Sequence, residues 1–244
     1  MGKMICAGLG PGNPDLMSVK SHRAITSAHH IAYFRKAGRP GQARQIVEGM
    51  LRADAIEHAM EYPVTTELPV ESAEYNAALA GFYDDWAERL ATLVKSEDVV
   101  VLCEGDPFFY GSFMHLYERL KDRIEIEVIP GITGASGCWT ASGVPMAWGD
   151  DVTTILAGTL PEEMLAHHMR QADAFVVMKL GRNLPKVRRA LHAAGRFEAA
   201  WLVERGTMAG ERVTKLTEAG DAKPPYFSVV IVHGNGRRPM KATP

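Results

Sequence analysis

The chain has 244 residues, 46% hydrophobic and 23% charged, enough to bury a core in one large domain or two smaller ones. Twenty-seven basic against 29 acidic residues leave a net charge of −2, which excludes affinity resting on a globally basic surface and leaves room for a local basic pocket. No apolar run reaches the roughly 18 residues of a membrane span, and Met1-Gly2-Lys3 passes almost directly into a strand-like run that shows neither the h-region nor the cleavage site of a signal peptide, so neither a span nor a signal peptide is expected. A cytoplasmic protein with neither nucleic-acid nor membrane partners is expected.

In chain order, short apolar runs predict strands at residues 4–7, 31–34, 55–60, 99–103, 124–129, 152–157, 174–179, 200–204 and 227–232. Amphipathic stretches lie between most of them. The clearest carries Tyr75, Leu79, Phe82, Trp86, Leu90 and Leu93 at spacings of three and four, a helical stripe for core packing. Strands alternating with helices predict an α/β fold with a largely parallel sheet. A boundary at Pro130-Gly131 divides the chain into domains 1–130 and 131–244. After residue 205, Gly206, Gly210 and Gly220 punctuate short polar segments, so hairpins and mixed strand directions are expected there. The tail from Gly234 to Pro244 is expected to fray.

Cys6, Cys103 and Cys138 lack metal-type spacing and read as small buried hydrophobes in a reducing compartment. The nine histidines include two doublets, His29-His30 and His167-His168, placed in or near helices and without the i, i+4 spacing of a ligand pair; no metal is expected.

Three glycine-rich segments follow strands. Gly8-Leu9-Gly10-Pro11-Gly12-Asn13-Pro14 follows the first, and glycines there allow a ligand close to the backbone. It is not a dinucleotide fingerprint, because Asn13 stands where the third glycine belongs and Pro11 and Pro14 remove donors. Taken alone it is a tight turn or a ligand wall. Glu104-Gly105-Asp106-Pro107-Phe108-Phe109-Tyr110-Gly111-Ser112 follows the most apolar strand. Asp106 reads either as a carboxylate for a polar ligand or as a helix-capping turn residue. Pro130-Gly131-Ile132-Thr133-Gly134-Ala135-Ser136 crowds small residues at a helix start, for a ligand or for another helix. Ligands of open α/β sheets bind outside the carboxyl ends of the strands, where these segments would sit.

The ordered set G-x-G-P-G, G-D-P-x-x-Y-G and P-G-I-T-x-A-S, with Val203-Glu204-Arg205-Gly206-Thr207 later, resembles the tetrapyrrole methylase family from about Met4 to Gly234. The resemblance implies two α/β domains, a mostly parallel N-terminal sheet and a mixed C-terminal one, with S-adenosylmethionine in the trough between them. Several segments resemble most the branch that methylates precorrin-2 at C20 in the corrin pathway, among them residues 10–20, 31–34, Glu61-Tyr62-Pro63-Val64-Thr65-Thr66-Glu67 and 104–116. Activity on uroporphyrinogen III, a later precorrin or cobalt-precorrin-2, and a non-catalytic nucleotide or tetrapyrrole carrier, are the alternatives.

By the same resemblance, Pro11, Glu104, Gly105, Asp106, Thr133, Gly134, Leu180 and Phe227 would contact the methyl donor. Glu104 would do so through its backbone, and Met178 stands two residues before Leu180, where relatives often carry Met. Asp106 is also the candidate base; water or a substrate carboxylate could serve instead. A polycarboxylate substrate calls for cations, and Arg35, Lys36, Arg39 and Arg44 follow the second strand, with Arg182 and Arg205 ending later ones. Gly10, Arg35, Lys36, Arg39 and Tyr110 are expected to meet the tetrapyrrole, and His115 lies within reach of the same pocket. The family resemblance also implies a homodimer.

Overall fold

A computed structural model describes residues 2–64 and 72–239; Thr65, Thr66 and Glu67 of the quoted segment lie outside the described residues, as do Met240 to Pro244. The chain divides into two compact units, Met1–Gly134 and Ala135–Pro244.

The first unit runs β1 (Met4–Gly8), α1 (Val19–Ser27), β2 (His30–Lys36), α2 (Gln42–Ile46), β3 (Ile56–Tyr62), α3 (Ala73–Leu93), β4 (Val99–Cys103), α4 (Phe113–Leu120) and β5 (Ile126–Ile129). Its five strands are all parallel, in the order β3-β2-β4-β1-β5. Every residue of β1 and β4 is buried, as suits central strands covered on both faces. Alternate residues feed the two faces. Met4, Cys6, Val99, Val101 and Cys103 pack with α3 and α4, while Ile5, Ala7, Val100 and Leu102 pack with α1 and α2. Leu79, Phe82, Trp86, Leu90 and Leu93 of the α3 stripe lie on the first of these clusters, with Tyr83 buried beside Phe82. The His29-His30 doublet lies near a helix, just beyond the end of α1, and His30 opens β2. The doublet's polarity hides a strand start whose apolar run begins at Ile31.

The second unit holds α5 (Gly134–Ala141, which begins on the last residue of the first unit), β6 (Thr153–Ala157), α6 (Glu162–Gln171), β7 (Ala174–Met178), α7 (Leu184–Ala193), β8 (Ala200–Glu204), β9 (Arg212–Lys215) and β10 (Ser228–Val232). The sheet order is β6-β7-β10-β8-β9, with β6 and β7 parallel and β10 antiparallel to both β7 and β8. The mixed directions expected after residue 205 are present. β9, with Val213 its one apolar residue, is an edge strand that no apolar run announces. The tail is pinned as far as Arg238, which corrects the expected fraying there. Gly234 N–H donates to the Met146 carbonyl (2.9 Å), Gly236 N–H to Asp151 (3.2 Å), and Arg238 lies over the Trp148 ring.

All three cysteines are free and buried. Burial pushes the Cys6 thiol well up and the Cys138 thiol up to about 11. Because all three are buried away from reagent, iodoacetamide is expected to leave them unlabelled at neutral pH until the chain unfolds. Rapid labelling of the native protein would contradict this packing.

His233, 2.8 Å from the Ser142 hydroxyl, is held below its usual 6.5 by burial first and by Lys215 second. The unfolded chain therefore takes up this proton more readily than the folded one. The stability His233 contributes is present above pH ~6.5 and lost as pH falls through its lowered folded value. The melting temperature of the wild type is expected to drop as pH falls from about 7 to about 5. His233→Gln should flatten part of that drop, and an unchanged pH profile would exclude this histidine as a cause.

Candidate active site

Strand order brings the three glycine segments together. β1 lies between β4 and β5, so the loops leaving β1, β4 and β5 emerge side by side at the carboxyl edge of one parallel sheet. The first two are zipped by backbone. Leu9 N–H donates to the Cys103 carbonyl (2.9 Å), Gly105 N–H to the Gly10 carbonyl (2.8 Å), and Gly10 N–H to the Gly105 carbonyl (3.4 Å). Ser21 of α1 donates its hydroxyl to the Gly8 carbonyl at 2.8 Å, so the buried strand end has its partner.

The third loop is held by Asp106. One carboxylate oxygen accepts Phe108 N–H at 2.9 Å, closing the G-D-P turn, and the other accepts Gly131 N–H at 3.0 Å. Each oxygen thus accepts one backbone N–H, which positions the two loops and leaves each oxygen a second lone pair. The contact requires glycine at 131, where a Cβ would overlap the Gly105 carbonyl and stand 3.0 Å from the Gly8 carbonyl carbon. At Gly134 a Cβ would meet nothing within 4 Å, so the space beside it is open.

Glu104 turns its side chain toward α2 and accepts Ala43 N–H at 3.0 Å, while burial raises its carboxyl above the usual range. Pro11 and Gly10 are buried in the first loop, and Thr133 is half-buried in the third. Tyr110 is 51% exposed, with a left-handed φ of 56°.

The cations at the end of β2 and beyond it divide. Arg35 pairs with Glu61 (2.9 Å), opposite it on β3, and Arg44 holds Glu57 with two hydrogen bonds of 2.7 and 3.0 Å. Neither is an unopposed charge. The Arg35 pair is partly exposed, and such pairs are worth about 1 kcal/mol or less, so a ligand carboxylate can compete for the guanidinium. Lys36 and Arg39 are exposed at the strand end and in the turn beyond it.

A hydroxyl cluster on the same edge escaped the sequence reading. Tyr62, the last residue of β3, donates to the Ser112 hydroxyl, and Tyr83 of α3 joins them. Burial pushes both phenols up. Phe34 stacks on Tyr62 with centroids 5.6 Å apart, and His115 lies 4.6 Å from the Tyr83 ring. Tyr83 sits one residue off the helical stripe that drew attention to Phe82. Ser112 had only its place at the end of the G-D-P segment to mark it.

In the second unit, Leu180 is wholly buried in the core and offers a ligand no side-chain surface; half-buried Met178 does. Phe227 precedes β10, and its carbonyl accepts Arg205 N–H at 2.6 Å. Lys179, Arg205 and Thr207 all have left-handed φ values of 51–66°. Such strain in side-chain-bearing residues collects at functional loops. The buried Thr207 hydroxyl has no hydrogen-bond partner among the described residues. Arg182 is exposed in a short turn before α7.

Known proteins agree with this arrangement. Residues 3–220 match the family of Tetrapyrrole (Corrin/Porphyrin) Methylases. The chain is 48% identical to a precorrin-2 C(20)-methyltransferase of Sinorhizobium sp, covering 98% of each chain. It is 26% identical to a cobalt-precorrin-2 C(20)-methyltransferase of Salmonella typhimurium, covering 95% of this chain and 96% of the other. A solved uroporphyrin-III C-methyl transferase of Thermus thermophilus, complexed with S-adenyl homocysteine, superposes with a TM-score of 0.64 at 22% identity, covering 95% of this chain and 97% of that one. A match across most of the chain, with its motif loops gathered at one sheet edge, makes this chain a member of the tetrapyrrole methylase family.

Proposed function

We propose that the chain transfers a methyl group from S-adenosylmethionine to C20 of precorrin-2, giving precorrin-3A in corrin biosynthesis. The likeness to the Sinorhizobium enzyme over nearly the whole of both chains carries the reading. The higher identity to that enzyme than to the cobalt-precorrin-2 enzyme favours a metal-free macrocycle.

The residues fit such a donor. Gly134 leaves open space beside a backbone-lined junction, and Thr207 offers an unsatisfied buried hydroxyl to a polar ligand. When bound, the sulfonium supplies an electrophilic methyl group and a neutral leaving group. The chain's own contribution is to orient and to exclude water. Gly10, Pro11, Gly105, Thr133 and Gly134 form the backbone wall, and Asp106 holds the G-D-P and P-G-I loops in register. Each Asp106 oxygen keeps a second lone pair, so Asp106 stays the candidate base for the C20 proton, with water or a substrate carboxylate as the alternatives. Arg35, Lys36 and Arg39 receive substrate carboxylates, and Tyr110 presents an exposed ring on the loop after β4. In the second unit, Met178 and Phe227 supply apolar contacts and Leu180 its backbone. We extend the reading to a homodimer in the cytoplasm, on the family resemblance.

Calorimetric titration of the purified protein with S-adenosylmethionine, without tetrapyrrole, tests the reading. Saturable binding is expected. None at about 1 mM, the upper end of ordinary substrate constants, would favour a carrier or scaffold.

A further inference from the structure

The opposite edge of the first sheet carries a second cluster of ligating side chains. His29 and His30 stand where β2 begins, and Glu97 lies two residues before β4. Pairing of His30 with Val99 brings these strand starts together. The His29 Nδ1 lies 2.8 Å from Glu97 Oε2, and the His30 Nε2 lies 3.9 Å from the same oxygen. One ligand atom from each residue falls within 4.8 Å of the other two, among the described residues the one group of this kind. Three ligands of a tetrahedral ion with bonds near 2.0–2.1 Å stand about 3.3 Å apart, so small side-chain rotations close the set.

Two features distinguish this cluster from a surface ion pair. The His30 Nδ1 lies 2.9 Å from His58 Nε2, on the neighbouring strand β3. The hydrogen shared with His58 can sit on either ring: on His58 Nε2 it leaves His30 Nε2–H to point at Glu97, and on His30 Nδ1 it turns the His30 Nε2 lone pair to the Glu97 carboxylate. In the second tautomer a cation between the two acceptors is bound by both. A metal-bound histidine commonly has its other ring N–H held by such an outer partner. The neighbouring cation, Arg52, gives its side-chain hydrogen bonds to Asp54 (2.7 and 2.8 Å) and acts on Glu97 only through space. His30 is nearly buried, whereas Glu97 and His29 line a cavity of about 400 Å3 that is open to solvent.

We propose that His29, His30 and Glu97 bind a divalent transition ion, zinc by preference, with His58 orienting His30 and water completing the shell from the cavity. Two imidazoles and one carboxylate suit zinc better than calcium or magnesium. The site lies at the strand starts and the glycine loops at the strand ends, so its role is to tie β2 to the entry of β4.

The test uses full-length, tag-free, metal-stripped protein titrated with Zn2+ in a calorimeter. One saturable site is expected, with a rise in melting temperature as Zn2+ is added. His29→Gln and Glu97→Gln should each lower affinity at least about tenfold, and His58→Gln about 10- to 100-fold, as loss of an outer partner does. His167→Gln, in the other doublet, should change nothing. Co2+ added to the wild type should give the visible bands of a four-coordinate ion, a readout that does not depend on any variant folding. Absence of saturable Zn2+ binding, or binding that survives both His29→Gln and Glu97→Gln, would overturn the assignment.

Discussion

Gly131→Ala is expected to be among the most damaging single-methyl changes in this chain. The added Cβ overlaps the Gly105 carbonyl and crowds the end of β1, all backbone with little freedom to retreat. Overpacking of this kind costs about 3 kcal/mol at the upper end of its usual range. Chemical denaturation should show the loss, and binding of S-adenosylmethionine should fall with it. Gly134→Ala is the informative contrast. Its Cβ enters open space at a helix start, so stability should hold or rise by up to about 1 kcal/mol. If the donor uses that space, affinity should nevertheless fall about tenfold, equivalent to about 1.4 kcal/mol. An alanine at 134 that leaves affinity untouched would remove Gly134 from the binding wall, and a fully stable alanine at 131 would break the junction argument.

Asp106 has the second large expected effect. Asp106→Ala strips the acceptor from two backbone N–H groups; water can replace it at the exposed Phe108 N–H, whereas the part-buried Gly131 N–H left unsatisfied costs about 1–3 kcal/mol. Release of the third loop by about 1 Å should lower kcat/KM about 100-fold. Asp106→Asn keeps one acceptor and should fall between alanine and wild type. A positioning residue loses donor affinity even when no tetrapyrrole is present, whereas a base loses turnover with that affinity intact. Asp106→Asn with unchanged S-adenosylmethionine binding and a sharply lowered kcat would assign Asp106 as the base.

Much of the sheet architecture was legible because central parallel strands are continuous apolar runs. Val99–Cys103 and Ala200–Glu204 stand where the sequence predicts them. The other limits shift by a residue or two at strand ends, as at Ile126, where apolar residues continue past the ladder. β9 was invisible because an edge strand with one apolar residue has no pattern to read. The pinned tail depends on Asp151, some 85 residues away in sequence, and no local signal records that bond.

For the site, the motif order named the loops, but only strand order explains their meeting. Side-chain commitments were beyond reach of the sequence. That Asp106 accepts Gly131 N–H, that Glu104 reaches Ala43, and that Arg35 and Arg44 are answered by acidic residues of β3 are all contacts across distant segments. The His29-His30 doublet looked ordinary because its partners, His58 and Glu97, lie 28 and 68 positions away from His30 and His29 respectively.

Incubation of the purified protein with precorrin-2 and S-adenosylmethionine carrying a 13C-labelled methyl group, with mass and NMR analysis of the product, tests the central claim most directly. The expected product carries one added methyl, with the labelled carbon bonded to C20. Label at another ring position, or no transfer by protein that binds the donor, would contradict C20 methylation while leaving the family assignment in place.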